Sequence, residues 1–194
     1  NARLDCGPAN LVLRAAMALR ERTDCKAGAK MALTKRIPIA AGLAGGSGNA
    51  AAALFALSES WDLKLTLAEL AEIGLTLGSD VPYCLRGGTV AATGRGEVMR
   101  PLKSLLDVWF VLVHPDLHVN TRDVYLSPLL QKNGEKRVGG FTPAFRQALK
   151  RFEVQNFPTA LFNRMEGPVF SMHPQLAEIK RTLLDAGCTA AIMS

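Results

Sequence analysis

Hydrophobic residues recur at helical spacing over residues 10–22, NLVLRAAMALRER, with charges gathered at the far end and Pro8 just ahead. The pattern predicts an amphipathic helix. Residues 30–37, KMALTKRI, alternate in part and predict a strand, which Pro38 ends. A loop of small residues is expected over 39–48, IAAGLAGGSG, and then a helix over 49–60, where Ala and Leu dominate. Thr66 followed three residues later by Glu69 is a capping box, so another helix opens there and Gly78 is placed to end it. Residues 79–82, SDVP, read as a turn, 88–93 as a strand and 94–97, GRGE, as a hairpin turn. The continuous apolar run VWFVLV, 108–113, predicts a buried strand closed by His114-Pro115. Beyond it helical spacing returns near 121–130, 142–151 and 174–186, with Gly187 as a helix end, a polar loop over 133–140 and a last strand over 189–193. A boundary between two α/β layers falls within 101–107, ahead of the apolar run.

Composition narrows the classes. In 194 residues the hydrophobic fraction is 48%, enough for a sizeable core. The net charge of +6 favours acidic ligands, but no Lys/Arg tract with interleaved aromatics marks a nucleic-acid surface. No apolar run reaches the roughly 18 residues of a membrane helix. The four cysteines, Cys6, Cys25, Cys84 and Cys188, form no CxxC pair and point to neither a zinc site nor a redox motif.

Candidate chemistry concentrates in PIAAGLAGGSGNAAAAL, 38–54. A loop without bulky side chains lets backbone N–H groups approach a ligand, and the helix behind it offers unpaired donors and a positive dipole end to an anion. Ser47 adds a hydroxyl, and Asn49 is suited to cap the helix. By spacing alone the segment is either a phosphate cradle or a tight Gly-rich strand–helix junction. It is neither a Walker A loop nor GxGxxG. Asp80, between a helix end and Pro82, is by position a turn or cap residue.

Pro38, Gly42, Leu43, Gly45, Gly46 and Ser47, with Asn49-Ala50-Ala51 behind them, resemble the second motif of the GHMP kinases. Gly78-Ser79-Asp80-Val81-Pro82 resembles the Gly-x-Asp-Val-Pro of the same superfamily's branch that phosphorylates a cytidine diphosphate methylerythritol. The likeness runs from about residue 7 to residue 194 and is densest over 37–96. Gly48 stands where that branch usually carries a second Ser.

The resemblance implies an α+β, two-lobed kinase. An N-terminal ATP-binding lobe, like ribosomal protein S5 domain 2, would span 1–104, and a ferredoxin-like lobe 105–194. It implies that Pro38, Ile39, Ala40, Ala41, Gly42, Leu43, Ala44, Gly45, Gly46, Ser47 and Gly48 wrap the phosphates of ATP, with Mg²⁺, and that Asp80 is catalytic. Thr121 and Tyr125 would meet the substrate, the aromatic ring stacking on cytosine; on its own spacing Tyr125 is equally an ordinary helix-face residue. Asn163 and Glu166 match an Asn-x-x-Glu pair with a structural role, and the turns around Arg86-Gly87-Gly88 and 94–97 also match. The reaction implied is phosphorylation of a 2-hydroxyl in the methylerythritol phosphate route to isoprenoids, in bacterial cytoplasm or a plastid. The acceptor would be a small molecule, with no nucleic acid and no membrane involved. Other GHMP small-molecule kinases and a non-catalytic nucleotide-binding relative are the alternatives. The family's N-terminal strand with its catalytic Lys, and its Gly-Ser-Gly-Pro motif, have no match in this sequence, so the resemblance implies a fragment.

Overall fold

The computed structural model describes residues 4–39, 41–102, 108–117, 119–132 and 161–194. Two compact units divide the chain, Asn1–Leu106 and Asp107–Ser194. Ala40, the loop 133–140 and the helix expected over 142–151 lie outside the described residues.

Among the described residues, four helices and a hairpin make up the first unit. Helix α1 (Leu11–Thr23) opens on Asn10, whose side-chain oxygen accepts from Val12 N at 2.9 Å. It buries Ala15 and Leu19. Against it lies α2 (Gly45–Ser60), which buries Ala50, Ala51, Ala53, Leu54 and Leu57. Its short alanine side chains let the two helices approach closely, and long side chains from both sides fill the remaining space. The capping box is present at α3 (Leu67–Leu77): Thr66 Oγ1 accepts from Glu69 N, and Glu69 returns a carboxylate oxygen to Thr66 N at 2.8 Å. Helix α4 (Val81–Arg86) follows at once and inserts Val81 into the same core as Leu54, Leu70 and Ile73. Gly74 allows this, because a Cβ there would stand 2.8 Å from Val81 Cγ1. The turn read over 79–82 is therefore the entry to a helix that spacing did not reveal.

Strands β1 (Val90–Thr93) and β2 (Val98–Pro101) pair antiparallel, with Thr93 opposite Val98 and Val90 opposite Pro101. The hairpin and its turn over 94–97 agree with the sequence.

Three expected strands are not seen among the described residues. Residues 30–37, 108–113 and 189–193 join no ladder among the described residues. The run read as a buried strand is instead open to solvent, Trp109 at 97% and Phe110 at 82% exposure. The physical reason is common to all three. Apolar alternation marks a chain able to join a sheet, but a strand exists only where a partner supplies the ladder. The hairpin carries its partner four residues away; these segments do not.

In the second unit the helix read near 121–130 is two, α5 (Thr121–Leu126) and α6 (Pro128–Lys132), broken at Ser127 ahead of Pro128. Helix α7 (Glu166–Met172) precedes α8 (Pro174–Asp185), and Val124, Leu130, Pro168 and Val169 are buried here. The end of α8 agrees with the sequence. Gly187, at φ 97°, and Cys188 close it with bonds to Leu184 O and Leu183 O, a Schellman arrangement.

Candidate functional site

The glycine segment leads into α2 four residues earlier than expected. The helix begins at Gly45, and its cap position is Ala44, in the left-handed region at φ 50° with no side-chain cap bond. Asn49 is therefore not the cap; it lies in the second turn. Low helix propensity of Gly suggested a later start, but the open N-terminal turn tolerates it. The first bond of the helix runs from Gly48 N to Ala44 O at 2.8 Å, so the N–H groups of Gly45, Gly46 and Ser47 precede the intrahelical ladder. Gly42, at φ 71°, turns the chain ahead of them.

Lys35 stands over this turn. A Cβ on Gly45 would lie 2.8 Å from Lys35 Nζ and 3.0 Å from Ile37 Cγ2, so only Gly fits there without displacing them. The Asn49 carboxamide, with its oxygen toward the lysine, accepts from Nζ at 3.2 Å and donates to Gly45 O at 3.2 Å. One face of the turn thus combines backbone donors, a dipole end and a fixed ammonium.

Beside it lies a cleft of about 330 Å³ between the N-terminal ends of α1 and α2, lined by Asn10, Leu11, Leu33, Lys35, Gly46 and Asn49 among others. Sequence reasoning missed Lys35, Asn10 and Leu11. A signal for Lys35 existed, a lysine three residues ahead of Pro38 on the segment feeding the glycines. Nothing comparable marks Asn10, whose visible duty is to cap α1.

Asp80 occupies the cap position of α4, exposed, with no side-chain cap bond; its carbonyl accepts from Cys84 N at 3.1 Å. The Cys84 thiol is pushed above its ordinary pKa by burial and secondly by the negative Asp80 nearby. The glycine segment and Asp80 share the first unit, at the openings of two helices packed on one core. Thr121 and Tyr125 belong to the second unit, on α5, where Tyr125 is 59% exposed. Asn163 and Glu166 hold the backbone of Met193 from both sides. Asn163 Nδ2 donates to Met193 O at 2.8 Å, and Met193 N donates to Glu166 Oε1 at 2.9 Å. Lys180 Nζ pairs with the same carboxylate at 2.8 Å. Among the described residues no three His, Cys, Asp or Glu side chains gather as a metal site, and no helix is long and apolar enough to cross a membrane.

Residues 10–88 match the family described as GHMP kinases N terminal domain. Over 185 residues the chain is 44% identical to the 4-diphosphocytidyl-2-C-methyl-D-erythritol kinase of Exiguobacterium sibiricum. It is 41% identical over the same length to the protein of that name from Bacillus cytotoxicus. Each alignment takes in 95% of this chain and 63% of the relative. A crystal structure of 4-(cytidine 5'-diphospho)-2C-methyl-D-erythritol kinase superposes with a TM-score of 0.71 at 34% identity, covering 95% of this chain and 65% of that one. The chain therefore spans less than two thirds of the length of these relatives. With the second motif at α2, the Asp-Val-Pro turn at α4 and this likeness across nearly all its residues, the chain belongs to the GHMP kinases and has their α+β fold.

Proposed function

We propose that the protein transfers the γ-phosphoryl group of ATP to the 2-hydroxyl of 4-diphosphocytidyl-2-C-methyl-D-erythritol, a step of isoprenoid synthesis carried out in the cytoplasm. The observation that carries this reading is the uncapped Gly45–Ser47 turn with Lys35 over it, beside a cleft of about 330 Å³. Such a turn suits a triphosphate, and the volume is in the range of small-molecule sites. Residues 38–48 would wrap the phosphates, Lys35 would add a positive charge, and the cleft lined by Asn10 and Leu11 would take the nucleoside. The first unit is then the ATP-binding lobe and the second the C-terminal lobe, with Thr121 and Tyr125 meeting the acceptor.

Asp80 is the proposed base. Its exposed carboxylate, unused by the helix it caps, would take the proton of the acceptor hydroxyl as that oxygen bonds to the γ-phosphorus and ADP leaves. Magnesium would offset phosphate charge. It would be held by phosphate oxygens, with Ser47 the side chain of the turn chemically suited to add to them.

The test is phosphoryl transfer by the full-length protein to a panel of acceptors, including homoserine, mevalonate and sugars, with Asp80→Asn in parallel. Turnover should be confined to the cytidine diphosphate acceptor, and Asp80→Asn should lower kcat on the order of 10²-fold or more. Preference for another acceptor would move the protein to a different GHMP activity. No transfer to any, with ATP still bound, would leave a non-catalytic relative.

A further inference from the structure

We propose that the turn between β1 and β2 is a positioning device for Asp80, with Gly96 as its contact residue. The inference rests on the reading of Asp80 as the base. Gly96 has φ 113°, a conformation that side chains with a Cβ rarely adopt. A Cβ there would stand 3.2 Å from Ser79 O and 3.9 Å from both Ser79 C and Ser79 Cβ. The turn therefore passes close to the Ser79 carbonyl, leaving too little room for a side chain at position 96. That carbonyl is half of the peptide joining Ser79 to Asp80, and the planar peptide transmits any displacement of it to the Asp80 Cα.

Two hydrogen bonds tie the turn internally. Gly96 N donates to Thr93 O at 3.1 Å, and Arg95 N donates to Glu97 Oε2 at 2.7 Å. On its other side Asp80 is followed by fully buried Val81, whose N–H bonds Gly78 O at 3.2 Å. Asp80 is thus held between a core anchor and the turn, while its own side chain has no cap bond to orient it. The GRGE pattern acquires a purpose: Glu97 ties the turn, and Gly96 lets it reach the peptide ahead of the base.

The experiment compares Gly96→Ala with Gly88→Ala in the full-length protein. Gly88 also has positive φ, 74°, but open space where a Cβ would go. Both variants carry backbone strain; only Gly96→Ala pushes on Ser79. Per folded enzyme, Gly96→Ala should lower kcat by about tenfold with KM for ATP unchanged, because small misplacements of reacting groups are costly. Gly88→Ala should keep kcat. Should Gly96→Ala fail to fold, Glu97→Ala should lower kcat and Glu97→Gln, which retains an acceptor for Arg95 N, should restore most of it. Equal kcat for the two glycine variants, or a loss confined to KM for ATP, overturns the inference, as does equal kcat for the two Glu97 variants. Asp80→Asn is run alongside. Its near-normal turnover would remove the base assignment itself, an outcome separate from loss of the positioning role.

Discussion

Lys35 shows what single residues contribute that spacing conceals. Within KMALTKRI it looked like one polar position of a strand, yet its ammonium stands 3.2 Å from the Asn49 oxygen and crowds the space above Gly45. Lys35→Met keeps the aliphatic stem and removes the charge. An ATP analogue titrated by calorimetry should bind about tenfold more weakly to it, the loss of roughly 1.5 kcal/mol expected for one charge-assisted bond. Unchanged affinity would remove Lys35 from the phosphate site. Tyr125 makes a different case. At 59% exposure on α5 it is not part of the core, so its removal leaves no core cavity. Tyr125→Ala should raise KM for the cytidine acceptor, by roughly 1–3 kcal/mol if one base stacks on it, and leave ATP affinity alone. Equal effects on both ligands, or none, would contradict stacking. Asp80 was legible only through its Asp-Val-Pro context, since a lone Asp beside Pro is an ordinary turn residue.

Elements were legible where the sequence carries the whole of their cause. Thr66 and Glu69 are three residues apart, so the capping box depends on nothing distant, and it forms as expected. Asn10 opening α1, the GRGE turn and Gly187 closing α8 are local in the same sense. The segments 30–37 and 108–113 failed because a ladder needs a second strand that their own residues do not specify. The start of α2 was missed for another reason: propensity disfavours Gly in a helix, but Lys35 and Ile37 pack where a Cβ of Gly45 would be. The capping box also carries a pH signature. Hydrogen bonds from the Thr66 backbone and then its hydroxyl hold the Glu69 carboxyl below its usual value, with Arg22 adding in the same direction. A carboxyl with a folded-state pKa below the unfolded one stabilises the fold above the unfolded value, about 4.3, and loses that contribution as pH falls through the folded value. Denaturant unfolding should therefore show wild type more stable than Glu69→Gln at neutral pH, with the gap closing in acid. A gap that persists below both values would mean that Glu69 acts by packing. Thr66→Ala should cost about 1 kcal/mol at neutral pH, the usual value of a lost N-cap.

On the whole molecule, the apolar run at the start of the second unit stands out. Trp109, Phe110, Val111 and Leu112 are all exposed. Contiguous apolar surface of this kind is uncommon on a soluble monomer and marks a surface that something covers. The relatives supply a candidate cover, because this chain accounts for 63% of their length and 65% of the solved structure. We predict that residues without counterpart here cover the run in a chain of the relatives' full length. Trp109 reports on this directly. The only other tryptophan is Trp61, whose ring N–H bonds Gly28 O in the first unit, and Trp61→Phe in both chains isolates the signal. Acrylamide should quench Trp109 strongly in residues 1–194 and several-fold less in the longer chain, with a blue shift as the indole leaves water. The short chain should also self-associate with rising concentration and bind an apolar dye, since uncovered β-prone segments seek partners. Equal quenching in the two chains would mean that the run stays open in both, and the second unit would then present it as a permanent feature of its surface.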